Sequence, residues 1–201
     1  PTEAMMIATQ LGFPVALKID SPDVSHKSDV QGVALNIMSG ASARDIYTDM
    51  VQRVTQLLPQ ARINGVTVQK MARASRGREI CIGLVTDDPF GPVITFGAGG
   101  TMIELIDDRA MELPPLNLFL ARRLIERARV AETLDAWRGA VAVDRNALEQ
   151  VLLRVSEMVC ELPQLREMDI NPLIVDEFGV VAVDARIVVD HAPSQNSGAA
   201  Q

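Results

Sequence analysis

Short apolar segments of strand character alternate with amphipathic helical segments along the whole chain, and this alternation restricts the possible folds. In the first half the pattern predicts helices at 3–11 and from 42 onward, and strands at 14–19, 33–38 and 66–71. The first two strands are predicted to form a hairpin with the polar segment 21–32 as its long loop. The helix from 42 is predicted to be capped by Ser42 and to carry one apolar stripe. In the second half it predicts strands at 79–85, 93–96, 173–175 and 180–183, and helices near 118–129 and 145–161, the second of which is capped by Asp144. Because strands and helices are interleaved in both halves, we expect an α/β or α+β fold with two lobes.

Composition narrows the class of protein further. The chain has 201 residues, which suits one domain or one domain of two lobes, and its 3% aromatic content requires an aliphatic core. The net charge of −7 argues against binding to nucleic acid or to anionic lipid. Cys81 and Cys160 lie in apolar runs and are predicted to be buried thiols. No apolar run is long enough for a membrane span and no signal peptide is evident, so we expect a cytoplasmic protein.

Both ends of the chain indicate a piece of a longer protein. A helical pattern starts directly after Pro1, with no element before it. Residues 190–201 are small, polar and aperiodic, which is typical of a flexible linker or tail. We therefore expect further domains, although a processed terminus would give the same pattern.

Two basic side chains are candidates for phosphate chemistry. Lys18 lies within an apolar strand, where a lysine is usually at a sheet edge or reaches out to solvent. The alternative is a fixed cation that is presented to a phosphate. His26 lies in the polar loop 21–32, and its imidazole is able to accept or pass on a phosphoryl group, although lone histidines are more often structural or surface residues. The other histidine, His191, falls in the predicted linker and receives no role.

A glycine-rich loop, GAGG, occupies residues 97–100. Consecutive glycines allow backbone N–H groups to converge on an anion. A plain tight turn explains the same residues equally well, and the loop lacks the lysine and the Ser or Thr that complete a P-loop.

A set of oxygen-bearing side chains lies near the C-terminus: Glu167, Asp169, Asn171 and Asp184. On a strand, residues 169 and 171 share a face, and a hairpin would bring Asp184 alongside. Such ligands suit Mg²⁺, which is held by one or two protein groups together with substrate phosphates. The alternative is a polar strand face with a capping aspartate. Taken together, the cation, the glycine loop, the oxygen ligands and the histidine describe a nucleotide-phosphate site.

A series of motifs then follows in one order: GFPVALKI, SPDVSHKSDVQGVALNI, VTVQKMA, REICIGLVTDDPFGPVITFGAGG, ELPPLN, EMDINPLIV and VAVDARI. In this order they resemble the ATP-grasp domain of NDP-forming acyl-CoA synthetases, the relatives of succinyl-CoA synthetase. The resemblance implies an ATP-grasp fold whose two lobes hold the nucleotide between them. It places a partial first lobe at 1–68, a second lobe with a magnesium-binding hairpin at 69–189 and a tail at 190–201. Because the family's domain begins earlier, with a helix and a short strand, the chain is expected to be N-terminally truncated.

The resemblance implies nucleotide-binding roles in both lobes. Lys18 would contact the nucleotide phosphates, and the strand from Gln69 to Met71 would form the hinge beside the adenine. Glu79 would face the nucleotide cleft. The phosphate path would be lined by three glycines: Gly97, Gly99 and Gly100.

The resemblance also implies how a phosphoryl group is handled. Asn171 and Asp184 match the positions that hold Mg²⁺ in the family, and Asp169 matches an acidic position that steadies a phosphohistidine. His26 resembles the histidine that relays phosphate between subunits in ADP-forming acetyl-CoA synthetases. The implied activity is that of an acid–thiol ligase with ATP and Mg²⁺ as cofactors. CoA-binding and ligase domains of the same protein or of a partner subunit would complete it.

One departure keeps an alternative open. The family loop often has two glycines before the valine, where this chain has Gln31 and Gly32. Together with LPPLN at 113–117, this resembles the ATP-grasp part of large protein lysine acetyltransferases. That resemblance implies a regulatory module that binds nucleotide or acyl-CoA, with a GNAT domain after residue 201. A structural interaction domain without a ligand is the third alternative.

Overall fold

The computed structural model describes residues 1–24, 26–71, 77–87, 89–100, 108–136 and 139–190. The chain divides into two compact units, Pro1–Ala72 and Arg73–Gln201. The boundary predicted at 68/69 falls inside a strand that ends at Lys70, so the observed division comes slightly later.

The first unit is a three-stranded antiparallel sheet with two helices. Its elements are α1 (Thr2–Leu11), β1 (Val15–Asp20), β2 (Val33–Ile37), α2 (Gly40–Leu57) and β3 (Gly65–Lys70). The strand order is β2-β1-β3, which makes β1 the central strand. Val15, Leu17 and Ile19 of β1 are fully buried in one cluster with residues of both helices. The predicted hairpin of the first two strands is therefore confirmed.

The start of α2 differs from its prediction. Ser42 is predicted to cap this helix, but the cap is Ser39, whose Oγ accepts a hydrogen bond from the N–H of Ser42 at 3.1 Å. Ser39 has the extended backbone that a capping residue needs, whereas Ser42 already lies in the first turn. Both serines carry the right side chain, so only the backbone conformation distinguishes them.

The second unit is a six-stranded antiparallel sheet with helices on one face. Its elements are β4 (Arg78–Asp87), β5 (Gly91–Ala98), β6 (Arg109–Glu112), α3 (Leu118–Arg127), a 3₁₀ turn (Arg129–Thr133), α4 (Arg145–Glu161), β7 (Leu165–Asp176), β8 (Gly179–Ala182) and β9 (Ala185–Val189). The strand order is β6-β5-β4-β7-β8, and β9 also pairs with β7. As predicted, Asp144 caps α4.

The helix-packed face of this sheet carries the larger core. Ile80, Ile82 and Leu84 of β4 are fully buried there with Phe96 and with residues of α3 and α4. The residues between them in β4 point to the opposite face, because side chains alternate along a strand. This opposite face, called the open face below, carries Cys81.

Strand β7 is much longer than the sequence pattern predicts. It covers twelve residues instead of 173–175. Its outer edge pairs with β9 from Leu165 to Ile170 and with β8 from Leu173 to Asp176. The polar residues Glu167 and Asp169 interrupt the apolar pattern because they lie on the open face. Strands β6 and β9 are not predicted either. The exposed position of Cys160 on α4 corrects the prediction of a buried thiol there.

In the part of the chain that the structure describes, no helix is both long and apolar enough to cross a membrane.

Candidate functional site

Lys18 is held in the centre of the first sheet. It pairs with Val33 of β2 on one side and with Thr67 of β3 on the other, and it is only 7% exposed. The alternative of an edge lysine is therefore wrong. Gln69 stands opposite Ala16, two residues from Lys18, so Lys18 and Gln69 share the sheet face that points away from the apolar cluster.

Met71 continues the same strand pairing. Its N–H donates to the carbonyl of Pro14 at 3.1 Å, which extends the pairing of β1 and β3 beyond Lys70. The predicted hinge residues Gln69 and Met71 therefore belong to the first unit, in register with the strand that carries Lys18.

His26 is exposed on a loop that is closed by its own backbone. The N–H of Asp29 donates to the carbonyl of His26 at 3.3 Å, and the N–H of Gly32 donates to the carbonyl of Lys27 at 2.7 Å. Position 32 has no room for a side chain, because a Cβ on Gly32 would lie 2.5 Å from a methyl group of Ile19. The loop thus returns to β1 at a fixed point while the imidazole stays accessible.

An ion pair fixes the other side of this loop. The carboxylate of Asp23 accepts hydrogen bonds from the backbone N–H of Arg62 at 2.8 Å and from its Nε and Nη2 at 3.1 and 3.0 Å. These hydrogen bonds lower the pKa of Asp23 to about 2. The loop that carries His26 is therefore attached to the segment before β3.

In the second unit, the glycine loop lies directly against neighbouring backbone. A Cβ at Gly97 would lie 1.7 Å from the carbonyl oxygen of Asp108, and one at Gly99 would lie 2.5 Å from the backbone of Ile80. Gly100 has a φ of +78°, and a Cβ there would lie 1.8 Å from a carboxylate oxygen of Glu79. Packing against backbone therefore requires Gly97 and Gly99, whereas Gly100 is favoured by its positive φ. Residues 101–107 lie outside the described residues.

Asn171 joins the glycine loop to the hairpin of β7. Its Oδ1 accepts a hydrogen bond from the N–H of Gly100 at 2.8 Å, and its own N–H donates to the carbonyl of Asp184 at 3.2 Å. Asp184 lies between β8 and β9, opposite Asn171. The structure thus brings together four residues to which the family resemblance gives roles in nucleotide and metal binding: Glu79, Gly100, Asn171 and Asp184.

The donor set at this place fits Mg²⁺. Asn171 and Asp184 supply an amide oxygen and a carboxylate, and Mg²⁺ prefers oxygen ligands. The amide oxygen of Asn171 has a second lone pair besides the one that Gly100 engages. Among the described residues, no three His, Cys, Asp or Glu side chains form a metal-binding group, so water and substrate phosphates would complete the coordination.

Asp169 lies on the open face, next to a cysteine to which the sequence pattern gives no functional role. The thiol of Cys81 donates a hydrogen bond to Oδ1 of Asp169 at 3.2 Å. Burial and the charge of Asp169 raise the pKa of Cys81 to about 12. Only the alternation of Cys81 with Ile80 and Ile82 could have placed this thiol away from the core.

A groove of about 180 Å³ runs across the open face. Its charged lining consists of Arg109, Glu167, Asp169 and Arg186, besides the buried Asp108. The sequence pattern gives no role to Arg109 or Arg186, which lie on the two strands that it fails to predict.

Comparison with known proteins extends over nearly the whole chain. Residues 1–189 match a family described as ATP-grasp domain. The beta subunit of acetate–CoA ligase [ADP-forming] I from Pyrococcus furiosus is 34% identical over 187 residues, covering 93% of this chain and 80% of that subunit. The acetate–CoA ligase [ADP-forming] I of Archaeoglobus fulgidus is 38% identical over 187 residues, 93% of this chain but only 27% of that longer protein.

Solved structures agree with these relatives. The dinucleotide-forming acetyl-coenzyme A synthetase 1 of Ca. Korarchaeum cryptofilum, in complex with coenzyme A, Ca-AMPCP and HgCl⁺, has a TM-score of 0.87 at 38% identity. That match covers 94% of this chain and 81% of that one. Its complex with coenzyme A and Mg-AMPPCP, in which a phosphohistidine segment points towards the nucleotide binding site, has a TM-score of 0.79. None of these proteins is an acetyltransferase, so the alternative with a GNAT domain receives no support.

Proposed function

The chain belongs to the ATP-grasp domain family, and we propose that it is the ATP-binding part of an ADP-forming acyl-CoA synthetase, with acetate as the expected acid. The observation that carries this proposal is the match to an acetate–CoA ligase beta subunit over 93% of the chain. The contact of Asn171 with Gly100 and Asp184 supports it, because these residues form an oxygen-rich corner next to a glycine loop.

The nucleotide phosphates need positive charge that stays in place. Lys18 supplies it from a central strand, where pairing on both sides fixes its backbone. A compact ammonium group binds phosphate as a point charge. Gln69 and Met71 would contact the adenine, and Glu79 and the three loop glycines would face the nucleotide in the second unit.

Asn171 and Asp184 would hold Mg²⁺ together with the phosphates. The bound ion would neutralise phosphate charge, which is the main requirement of phosphoryl transfer. Asn171 has a second task in this arrangement, because its Oδ1 also holds the N–H of Gly100. The metal position and the glycine loop would therefore be coupled through one side chain.

His26 is proposed to be the phosphoryl acceptor. An imidazole nitrogen would attack the γ-phosphorus of ATP, so that a P–N bond forms while the P–O bond to ADP breaks and ADP leaves. Asp169 would then accept a hydrogen bond from the imidazole of the phosphorylated residue. The phosphoryl group would pass on to the acid to form an acyl phosphate. The thiol of CoA would then take the acyl group as a thioester and release inorganic phosphate, in other domains of a longer protein or in a partner subunit.

Labelling of the full-length protein tests this proposal. With γ-labelled ATP and Mg²⁺, we expect a phosphoprotein that is labile to acid and stable to base. The label should be lost in His26→Ala and kept in His191→Ala, which alters the other histidine of the chain. Label that persists in His26→Ala would contradict the relay, and ATP binding without any label would leave only a nucleotide-binding module.

Binding measurements test the nucleotide site separately. Lys18→Met and Asp184→Asn should each weaken the binding of Mg-AMPPCP by about tenfold or more, because each removes a charge that contacts the phosphates or their metal. Unchanged affinity in both variants would contradict the assignment of these residues.

A further inference from the structure

The open face of the second sheet carries two arginines whose positions are fixed by strand register. Arg109 of β6 stands opposite Gly97, which stands opposite Cys81 of β4. Arg186 of β9 stands opposite Asp169 of β7. Residues opposite each other in antiparallel strands share a face, so both arginines line the groove that contains the Cys81–Asp169 contact.

Neither arginine is neutralised within the part of the chain that the structure describes. Arg122, Arg123 and Arg154 each form an ion pair with a glutamate, whereas Arg109 and Arg186 have no such partner there. A guanidinium group keeps its charge at every physiological pH. The groove therefore presents two cations that its carboxylates do not engage.

The two cations lie on either side of Asp169. The charge of Arg109 opposes the upward shift in the pKa of Cys81 that burial and Asp169 cause, so the Arg109 side chain acts on the Cys81–Asp169 pair. Arg186 approaches from the other side, as the cross-strand neighbour of Asp169. A ligand that contacts Asp169 would thus have a guanidinium group on each side.

The floor between the arginines is formed by two glycines and by the polar atoms that pack over them. Gly83 and Gly97 both lie in it, and a Cβ at Gly83 would lie 2.5 Å from the hydroxyl oxygen of Thr95. The Thr95 hydroxyl thus lies where a Gly83 side chain would be, and the Asp108 carbonyl oxygen lies where a Gly97 side chain would be. The hydroxyl supplies a hydrogen-bond donor at the floor of the groove. Guanidinium and hydroxyl groups together suit the oxygens of a phosphoryl group.

We propose that this groove is a phosphoryl-binding site in which Arg109 and Arg186 hold the phosphoryl oxygens on either side of Asp169. The inference rests on the proposed function and assigns it two further residues. The phosphoryl group comes from one of two sources, phosphorylated His26 or the terminal phosphate of the nucleotide. The carboxylate favours the first source, because it repels phosphate oxygens but accepts a hydrogen bond from an imidazole N–H.

Inorganic phosphate is the probe for the site itself. Calorimetry on the full-length protein should show saturable phosphate binding that weakens about tenfold or more in the double variant Arg109→Gln/Arg186→Gln, since two charge-assisted contacts are lost. Arg154→Gln, which removes an exposed arginine of α4, is the matched control and should bind like the wild type. Equal phosphate affinity in the double variant and the wild type would overturn the inference.

A second experiment distinguishes the two sources. If phosphorylated His26 occupies the groove, the double variant should keep the wild-type affinity for Mg-AMPPCP while the rate of His26 labelling falls about tenfold or more. If the double variant also loses affinity for Mg-AMPPCP, the result would support a phosphoryl-binding groove that is occupied by the terminal phosphate of the nucleotide. Unchanged labelling and unchanged affinity would overturn the inference. Label that persists in His26→Ala would instead refute the proposed relay and leave the phosphate measurement as the test of the groove.

Discussion

The thiol of Cys81 donates a hydrogen bond to Oδ1 of Asp169 across neighbouring strands, at 3.2 Å. Cys81 must be protonated to donate, and burial together with Asp169 keeps it so. The contact therefore orients the carboxylate that we propose to stand beside a phosphorylated histidine. Cys81, which the sequence pattern places among buried apolar residues, thus acts as a hydrogen-bond donor.

Replacing Cys81 separates its hydrogen bond from its volume. Cys81→Ser keeps a donor and should preserve the rate of His26 labelling within a few-fold, whereas Cys81→Val fills the space without a donor. We expect Cys81→Val to lower the labelling rate by about three- to tenfold, because the net free energy of such a hydrogen bond is about 1 kcal/mol. Labelling rates with γ-labelled ATP measure this difference. Equal labelling rates for Cys81→Val and the wild type would show that the Cys81 thiol does not position Asp169.

The two cysteines should differ strongly in reactivity. With a pKa of about 12, only about one Cys81 in 10⁴ is a thiolate at pH 8, and the thiolate is the reactive form. Cys160 is exposed and should react first with iodoacetamide. Peptide mass spectrometry after brief alkylation measures this, with unfolding in urea as the control in which both react. Rapid alkylation of Cys81 in the folded protein would contradict its raised pKa.

Gln31 adopts a backbone conformation that favours glycine. Its φ is +54°, in the left-handed region that costs most residues about 1 kcal/mol. Gln31→Gly should therefore raise the free energy of unfolding by up to about 1 kcal/mol, less the greater chain entropy of glycine in the unfolded state. Asn36 has a φ of +56° but asparagine tolerates it, so Asn36→Gly is the matched control and should gain less. Urea unfolding compares them, and a loss of stability in Gln31→Gly would contradict this expectation.

Gly97 and Gly91 should respond differently to the same substitution. A Cβ at Gly97 meets the carbonyl oxygen of Asp108, so Gly97→Ala should lower the free energy of unfolding by about 2–3 kcal/mol through forced backbone shifts. Gly91 has a φ of +78° and open space around it, so Gly91→Ala should cost only about 1 kcal/mol. Similar unfolding midpoints in urea for the two variants would mean that the contact at Gly97 relaxes easily.

The Asp23–Arg62 ion pair predicts a pH dependence at acid pH. The pKa of Asp23 lies at about 2 in the folded protein and at 3.8 without the contact, so its stabilising effect is complete well above pH 3.8. The effect is lost as the pH falls towards 2. The wild type and Asp23→Asn should therefore differ in stability at pH 6 and converge near pH 2. The difference should be small because the pair is exposed, and a difference that persists unchanged at pH 2 would contradict it.

The elements that the sequence predicts well are those with local causes. The hairpin of β1 and β2, the stripe of α2 and the cap of α4 at Asp144 each depend on residues close in sequence. For the same reason the motifs locate Asn171 and Asp184 on one hairpin, and the structure places them opposite each other.

The remaining features depend on register between distant strands. Arg109 lies in a strand of four residues, and Arg186 pairs with Asp169 only because β9 continues along the edge of β7. The central position of Lys18 likewise follows from β3, which pairs with β1 from about fifty residues further along the chain. No local pattern contains this information, so the groove could not be predicted.

The attachment of Asp23 to Arg62 limits how far His26 can travel. His26 follows Asp23 by three residues, and an extended chain spans at most about 3.6 Å per residue, so its Cα stays within about 11 Å of the Cα of Asp23. The ion pair thus limits the distance over which the imidazole can carry a bound group. Relative to the first unit, an acceptor beyond that radius and the length of the side chain can be reached only after the ion pair opens.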